Sequence, residues 1–192
     1  MKTLGVIALL AVGLTATASA APFRAGSLEP PRPAPDFTLK TADGDDFRLG
    51  RHRGDVVVIA FGYTFCPDVC PTTLAELAQV KAKLGPRARY LRVAFVTVDP
   101  ERDVPERLRT YTRAFDPAFV GLTGTAAELA QVRRAYGVTA ERRVVPGTAA
   151  AYLIDHSAFL YVVDPQGLLR LMIPFGTPVD DMTHDIQLLL PR

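Results

Sequence analysis

Val56-Val57-Val58-Ile59-Ala60-Phe61, then Gly62-Tyr63-Thr64-Phe65, then Cys66-Pro67-Asp68-Val69-Cys70-Pro71 is the stretch from which the fold can be read. The first six residues are β-branched or apolar without alternation, as in a strand covered on both faces. From about Cys70 to Leu84, Leu74, Leu77, Ala78 and Leu84 recur on one helical face, with Gly85 just past the end. A buried strand running into a helix places the two cysteines at the C-terminal edge of a sheet, where open α/β sheets put their sites.

Outward from this unit the pattern alternates. Upstream, residues 37–40 and 47–49 flank Asp43-Gly44 and read as a hairpin. Downstream, residues 91–98 form a second buried strand ending at Asp99-Pro100. Pro105 opens a helix to about Phe115, and 119–122 is a short strand. Thr125 with Glu128 three residues on is a capping box for a helix over 126–136, which Gly137 ends. Residues 152–154, 159–163 and 168–172 read as strands, the last two joined by a turn at Asp164-Pro165-Gln166-Gly167. Residues 180–190 close the chain as a helix. The order hairpin, βαβα, ββα predicts a three-layer α/β domain of thioredoxin-like fold with an N-terminal hairpin.

The first 35 residues read differently. Lys2, the apolar run Leu4 to Leu14 and Ala18-Ser19-Ala20 follow the pattern of a secretory signal with its cleavage site. The absence of charge between Thr3 and Arg24 also fits a retained membrane anchor. Either reading of residues 1–20 implies an exported protein, periplasmic or on the outer face of the cytoplasmic membrane, with cleavage favoured over a tether. Residues 21–35 carry Pro22, Pro30, Pro31, Pro33 and Pro35 and read as an extended linker. The domain proper is then 36–192.

Composition narrows the function. In 192 residues, 22 Lys and Arg face 20 Asp and Glu, so there is no basic field that would make nucleic acid the partner. Two cysteines exclude a disulfide scaffold and a four-cysteine zinc site. Nothing in the pattern indicates an obligate oligomeric interface, and a monomer is expected.

Three readings of Cys66 and Cys70 compete. A structural disulfide would close a loop of about five residues, worth roughly 2 kcal/mol against about 4.7 for a 100-residue loop. That is a poor use of the chain's only two cysteines. A redox pair is the second reading, although three intervening residues depart from the two of thioredoxin-type enzymes. In either chemistry, a place near the helix N-terminus favours Cys70 as a thiolate. The third reading is a chelate, because two soft sulfurs four residues apart converge on one ion and select Cu(I) over hard cations. Such a site needs a further ligand, and there are three histidines. His52 lies between Arg51 and Arg53 in a polar loop, and His184 lies among Asp180, Asp181 and Asp185. His156, in Asp155-His156-Ser157 between two apolar segments, is the candidate third ligand.

The residues 61–71, Phe-Gly-Tyr-Thr-Phe-Cys-Pro-Asp-Val-Cys-Pro, resemble the signature of the SCO/SenC copper chaperones. Val96 to Asp103, Gly121-Leu122-Thr123-Gly124, and Tyr152 to Ser157 with Tyr161 and Asp164 to Gly167 resemble their further blocks. The resemblance covers about residues 34–190. It implies a thioredoxin-like fold and one copper ion held by Cys66, Cys70 and His156; the soft sulfur pair points to Cu(I), and whether Cu(II) is also held is left open. It also implies a role in assembling the CuA site of cytochrome c oxidase. The partner would be the CuA subunit or another copper-transfer protein, and the role that of a carrier rather than an enzyme. Asp99 would support the histidine ligand from behind.

The alternative is an exported thiol–disulfide oxidoreductase using the Cys66/Cys70 pair as a redox-active disulfide. A peroxiredoxin wants Thr three residues before its reactive cysteine, and Pro67 and Tyr63 stand there instead. A thioredoxin-type reductase wants Pro facing the pair, where this chain has Asp155-His156-Ser157-Ala158.

Overall fold

The computed structural model describes residues 23–145 and 151–191. The signal or anchor expected over 1–20 lies outside them. Among the described residues no helix is long and apolar enough to cross a membrane.

Ten strands and four α-helices follow in chain order: β1 (Ser27–Pro33), β2 (Thr38–Thr41), β3 (Asp46–Arg48), β4 (Val56–Gly62), α1 (Val69–Leu84), β5 (Leu91–Thr97), α2 (Pro105–Arg113), β6 (Val120–Thr123), α3 (Ala126–Tyr136), β7 (Ala140–Val144), β8 (Tyr152–His156), β9 (Phe159–Val163), β10 (Leu168–Pro174) and α4 (Val179–Leu189). Eight strands make one sheet in the order β1-β10-β9-β4-β5-β6-β2-β3, and β7 and β8 pair separately. β4, β5 and β6 run parallel, and the other pairings in the large sheet are antiparallel.

β4 is central, and all seven of its residues are buried. Its alternate side chains serve the two layers. Phe61 meets Tyr136 of α3 and Tyr161, while a side chain at Gly62 would point at Phe95 and Cys70. α1 packs along α4, and Tyr111 of α2 meets Phe95, so α1, α2 and α4 cover one face and α3 the other. Each large apolar side chain so buried contributes roughly 1.5–3 kcal/mol relative to exposure, and the double covering explains the unbroken apolar run. α3 carries the expected capping box: the Glu128 amide donates to Thr125 Oγ1 at 3.2 Å, and the Thr125 amide donates to Glu128 Oε2 at 2.8 Å. Gly137 ends the helix at φ +70°, a conformation that costs glycine little.

Two parts of the fold differ from the sequence expectation. The linker expected over 21–35 contains β1, which pairs antiparallel with β10. Proline is admitted because β1 is the outermost strand, and its ladder is interrupted between Ser27 and Arg32. What pins it is distant in sequence. Asp185 of α4, wholly buried, accepts the amide N–H of Arg24 at 2.8 Å and of Ala25 at 2.7 Å. The second difference is β7. Ala-Glu-Arg-Arg-Val has no apolar alternation, because four of its five residues face solvent, and the pattern gave no strand there. Its register with β8 sets Ala140 opposite His156 and Val144 opposite Tyr152.

Replacing Asp185 by Ala strands two backbone donors in a dry setting and is expected to cost about 3 kcal/mol, measured as a shift of the urea unfolding curve. A loss below about 1 kcal/mol would show that the carboxylate does not anchor the segment.

Candidate metal and thiol site

The site is built where β4 ends. The chain turns through residues 63–68, the Cys66 amide donates to the Tyr63 carbonyl at 3.2 Å, and α1 begins at Val69. Cys70 is therefore the second residue of the helix, with 3% of its surface exposed. Its sulfur occupies the space left by the missing side chain of Gly62, where a Cβ would lie 2.9 Å from Sγ and 2.7 Å from the Phe95 ring. Cys66 is half-buried, and its Sγ accepts the Cys70 amide at 3.4 Å. Both cysteines are free thiols.

The turn is tied down by a residue to which the sequence reading gave no role. Asp103, fully buried, accepts the Thr64 amide and, at 2.6 Å each, the hydroxyls of Thr64 and Thr97. Burial pushes its carboxyl up, and the hydrogen bonds from Thr64 and Thr97 oppose that. The signal available in sequence was an acidic residue inside the block that follows a buried strand. What it holds is visible only in three dimensions.

His156 ends β8 and brings Nε2 to 3.5 Å from Cys70 Sγ. Its Nδ1 lies 3.0 Å from the Ser157 carbonyl, which can only accept. The proton therefore belongs on Nδ1, and Nε2 presents its lone pair to the sulfurs. The ring stands edge-on to Tyr63, with centroids 6.0 Å apart. Cys66 and His156 share one open cleft with Tyr63, Asp68, Arg143 and Asp155, while Cys70 lies behind it and lines an inner cavity with His156, Phe61 and Phe95. The other two histidines are placed elsewhere: His52 stacks on Phe47, and His184 pairs with Asp185.

Asp99 is not where the sequence reading put it. Its carboxylate meets Arg102 Nε at 2.5 Å and the Tyr152 hydroxyl at 2.9 Å, while His156 is supported by the Ser157 carbonyl. The reason is local. Asp99 follows β5, and its amide donates to Thr97 Oγ1, which turns the carboxylate toward the start of β8 instead of its end.

The thiol pair also differs from expectation. A hydrogen bond from Cys70 draws the Cys66 thiol down to about 4, although burial opposes it. Cys70 moves strongly upward, because it supplies that hydrogen bond and is buried. These shifts favour ionisation at Cys66, the less buried sulfur, where proximity to the helix N-terminus alone favours Cys70. The two cysteines share the same helix end, so burial and their mutual hydrogen bond decide between them.

Among the described residues no group of three or more His, Cys, Asp and Glu side chains is already arranged to hold a metal ion. The donors are nevertheless linked, Cys66 to Cys70 and Cys70 to His156. Two sulfurs and one oriented imidazole nitrogen are the set a soft monovalent ion accepts, and in chemistry the residues fit copper.

An eight-stranded sheet with helices on both faces and a cysteine pair at the end of a central parallel strand is a thioredoxin-like architecture, here with an added histidine. The SCO1/SenC family model matches residues 26–190, and the chain belongs to that family. It is 34% identical over 132 residues to an SCO2-like protein of Rickettsia conorii, covering 69% of this chain and 64% of that one. It is 37% identical over 136 residues to the mitochondrial SCO1 homolog of Homo sapiens, covering 68% and 44%. Sco1 of Thermus thermophilus, solved in its apo form, superposes with a TM-score of 0.78 at 38% identity, covering 88% of this chain and 98% of that one. ScoI of Bradyrhizobium japonicum, solved with copper bound, superposes with a TM-score of 0.73 at 34% identity, covering 82% and 99%. The chain thus spans a little under two thirds of the Rickettsia relative and under half of the human one.

Two measurements test the site. Gly62→Ala forces Phe95 and Cys70 apart and is expected to cost about 1–3 kcal/mol in urea unfolding, with unchanged stability contradicting the close approach. A depressed acid is ionised above its folded pKa, so iodoacetamide should modify Cys66 at pH 6 near its plateau rate and leave Cys70 untouched. A rate climbing about tenfold per pH unit between 6 and 8 would show an ordinary thiol.

Proposed function

We propose that this protein is a copper chaperone that carries one copper ion on Cys66, Cys70 and His156 and serves assembly of the CuA site of cytochrome c oxidase. The observation that supports this most directly is the pairing of two free thiols with an imidazole whose Nε2 is turned toward them by the bond from Nδ1 to Ser157. Copper-bound relatives of 34% and 32% identity support the same ion.

The residues divide the work. Cys66 is the half-exposed, acidic thiol, and as a thiolate it is the first sulfur an incoming ion or an acceptor thiol meets. Cys70 stays protonated and buried until a cation in the cleft offsets the cost of ionising it, so loading releases a proton from Cys70. His156 contributes a neutral donor. Copper is cargo, and a site of three donors opening onto a cleft leaves room for the sulfurs of an acceptor to replace these ligands one at a time. Oxidation of the pair to a disulfide would remove two of the three donors, so loading requires prior reduction. The signal-like pattern of residues 1–20 supports a site of action outside the cytoplasmic membrane.

A second reading keeps the same two sulfurs. An accessible acidic thiol beside a buried protonated one is also the arrangement that attacks and then resolves a disulfide, and reduction of an acceptor's cysteines fits the same assembly step.

Reduced protein, loaded anaerobically with limiting Cu(I) and desalted, should retain about one copper per chain. His156→Ala should bind more weakly, and Cys66→Ser should retain none. Absence of copper from the wild type would end the carrier reading. Turnover of a disulfide substrate that His156→Ala leaves intact would favour the oxidoreductase.

A further inference from the structure

His156 belongs to a part of the molecule that the large sheet does not hold. Among the described residues β7 and β8 pair with each other and with no strand of that sheet. Beyond His156 the chain rejoins the body, where the Ala158 carbonyl accepts the Phe175 amide. On the other side the ribbon is secured by side chains that reach out from the body. The Tyr63 hydroxyl accepts the Ile154 amide at 3.2 Å. Several further ties converge on Tyr152.

The Asp99 carboxylate, 1% exposed, accepts the Tyr152 hydroxyl on one oxygen and Arg102 Nε on the other. Arg102 Nη1 donates to the Tyr152 carbonyl at 3.0 Å, and its guanidinium lies 3.6 Å from the centre of the Tyr152 ring. The same guanidinium lies 4.7 Å from the ring of Phe65, the residue before Cys66, and 5.7 Å from that of Tyr63. A second guanidinium, Arg142 of β7, lies 4.0 Å from the Tyr152 ring and bonds Glu101 at 2.6 Å. One arginine thus touches the cysteine turn and the ribbon together. Tyr152, Ile154 and His156 alternate onto one side of β8, so holding the first two sets the position of the third.

We infer that Arg102 is a positioning residue for His156: with Asp99 and Tyr152 it latches the β7–β8 ribbon to the cysteine turn and sets how the imidazole meets the sulfurs. This rests on the reading that these three side chains hold copper. Exposed ion pairs contribute little, but the Arg102–Asp99 pair is 16% and 1% exposed. Deleting either partner would leave a buried charge and endanger the fold, so milder variants are needed. Arg102→Lys keeps the charge beside Asp99 and gives up the planar fork that reaches the Tyr152 carbonyl and lies on its ring. Tyr152→Phe keeps the ring and removes only the hydroxyl.

The test uses the reduced full chain, titrated anaerobically with Cu(I) against a coloured Cu(I) chelator. Arg102→Lys should weaken binding about tenfold, at the low end of what support for a metal ligand contributes, and Tyr152→Phe should weaken it less. In a His156→Ala background neither should weaken it further, because the effect passes through the imidazole. Equal losses in both backgrounds, or no loss beside an intact His156, would overturn the latch. Amide hydrogen exchange on the metal-free protein supplies a readout that does not depend on copper. Exchange at Ile154 and His156 should quicken in both variants while β4 stays protected, which also shows that the fold is intact. If the wild type holds no copper, the carrier reading fails by itself, and exchange alone decides the latch: unchanged ribbon protection overturns it.

Discussion

The first turn of α1 lies against the end of β4 because residue 62 has no side chain, and the rest of the site depends on that approach. The Cys70 sulfur fills the space, and Phe95 packs against the same point from the neighbouring strand. A thiol so enclosed resists ionisation, and by giving its hydrogen to Cys66 it makes the outer sulfur acidic. Packing in the core therefore sets the chemistry in the cleft. The asymmetry between two cysteines four residues apart follows chiefly from their mutual hydrogen bond and from the deeper burial of Cys70.

Around that fixed sulfur the other parts differ in how firmly they are held. Asp103 secures the turn through short bonds to both Thr64 and Thr97, so the cysteine turn is tied to the ends of both β4 and β5. His156 arrives on a ribbon outside the main sheet. Hydrogen-bonded ladders hold β4 and β5 over seven matched positions, whereas the ribbon relies on a few side chains. The difference separates a rigid sulfur pair from a donor on a more lightly held ribbon. Elements held by few contacts open more readily than core strands, so the ribbon carrying His156 is the less protected part of the site.

Much of this was legible in the sequence. The alternation around 56–84, the capping box at Thr125 and the turn at Asp164 fixed the class of fold, because each rests on local periodicity or local hydrogen bonding. The cysteine pair and His156 were legible because their chemistry narrows the choice. β1 was hidden, since a run of prolines reads as a spacer unless a partner edge and the carboxylate of Asp185, more than 150 positions away, are known. β7 was hidden because a strand with both faces in water carries no alternation. Asp99 was placed at the correct end of the sheet but on the wrong neighbour: what a carboxylate meets at a strand end depends on how β8 crosses it. The acidity of the two thiols was misassigned because proximity to a helix terminus does not distinguish residues on the same turn, whereas burial does.

The docking of β1 has a mechanical consequence. Fifteen proline-rich residues in free extension would reach roughly 45 Å, and a domain on such a leash samples every orientation within that radius. Here the leash is reeled in. From Arg24 onward the backbone is held by Asp185 and then hydrogen-bonded to β10. The stretch from Arg24 to Pro33 is therefore part of the folded body and adds no free reach of its own. Any reach between the folded body and whatever precedes it is set by the residues before Arg24 and not by the proline-rich run.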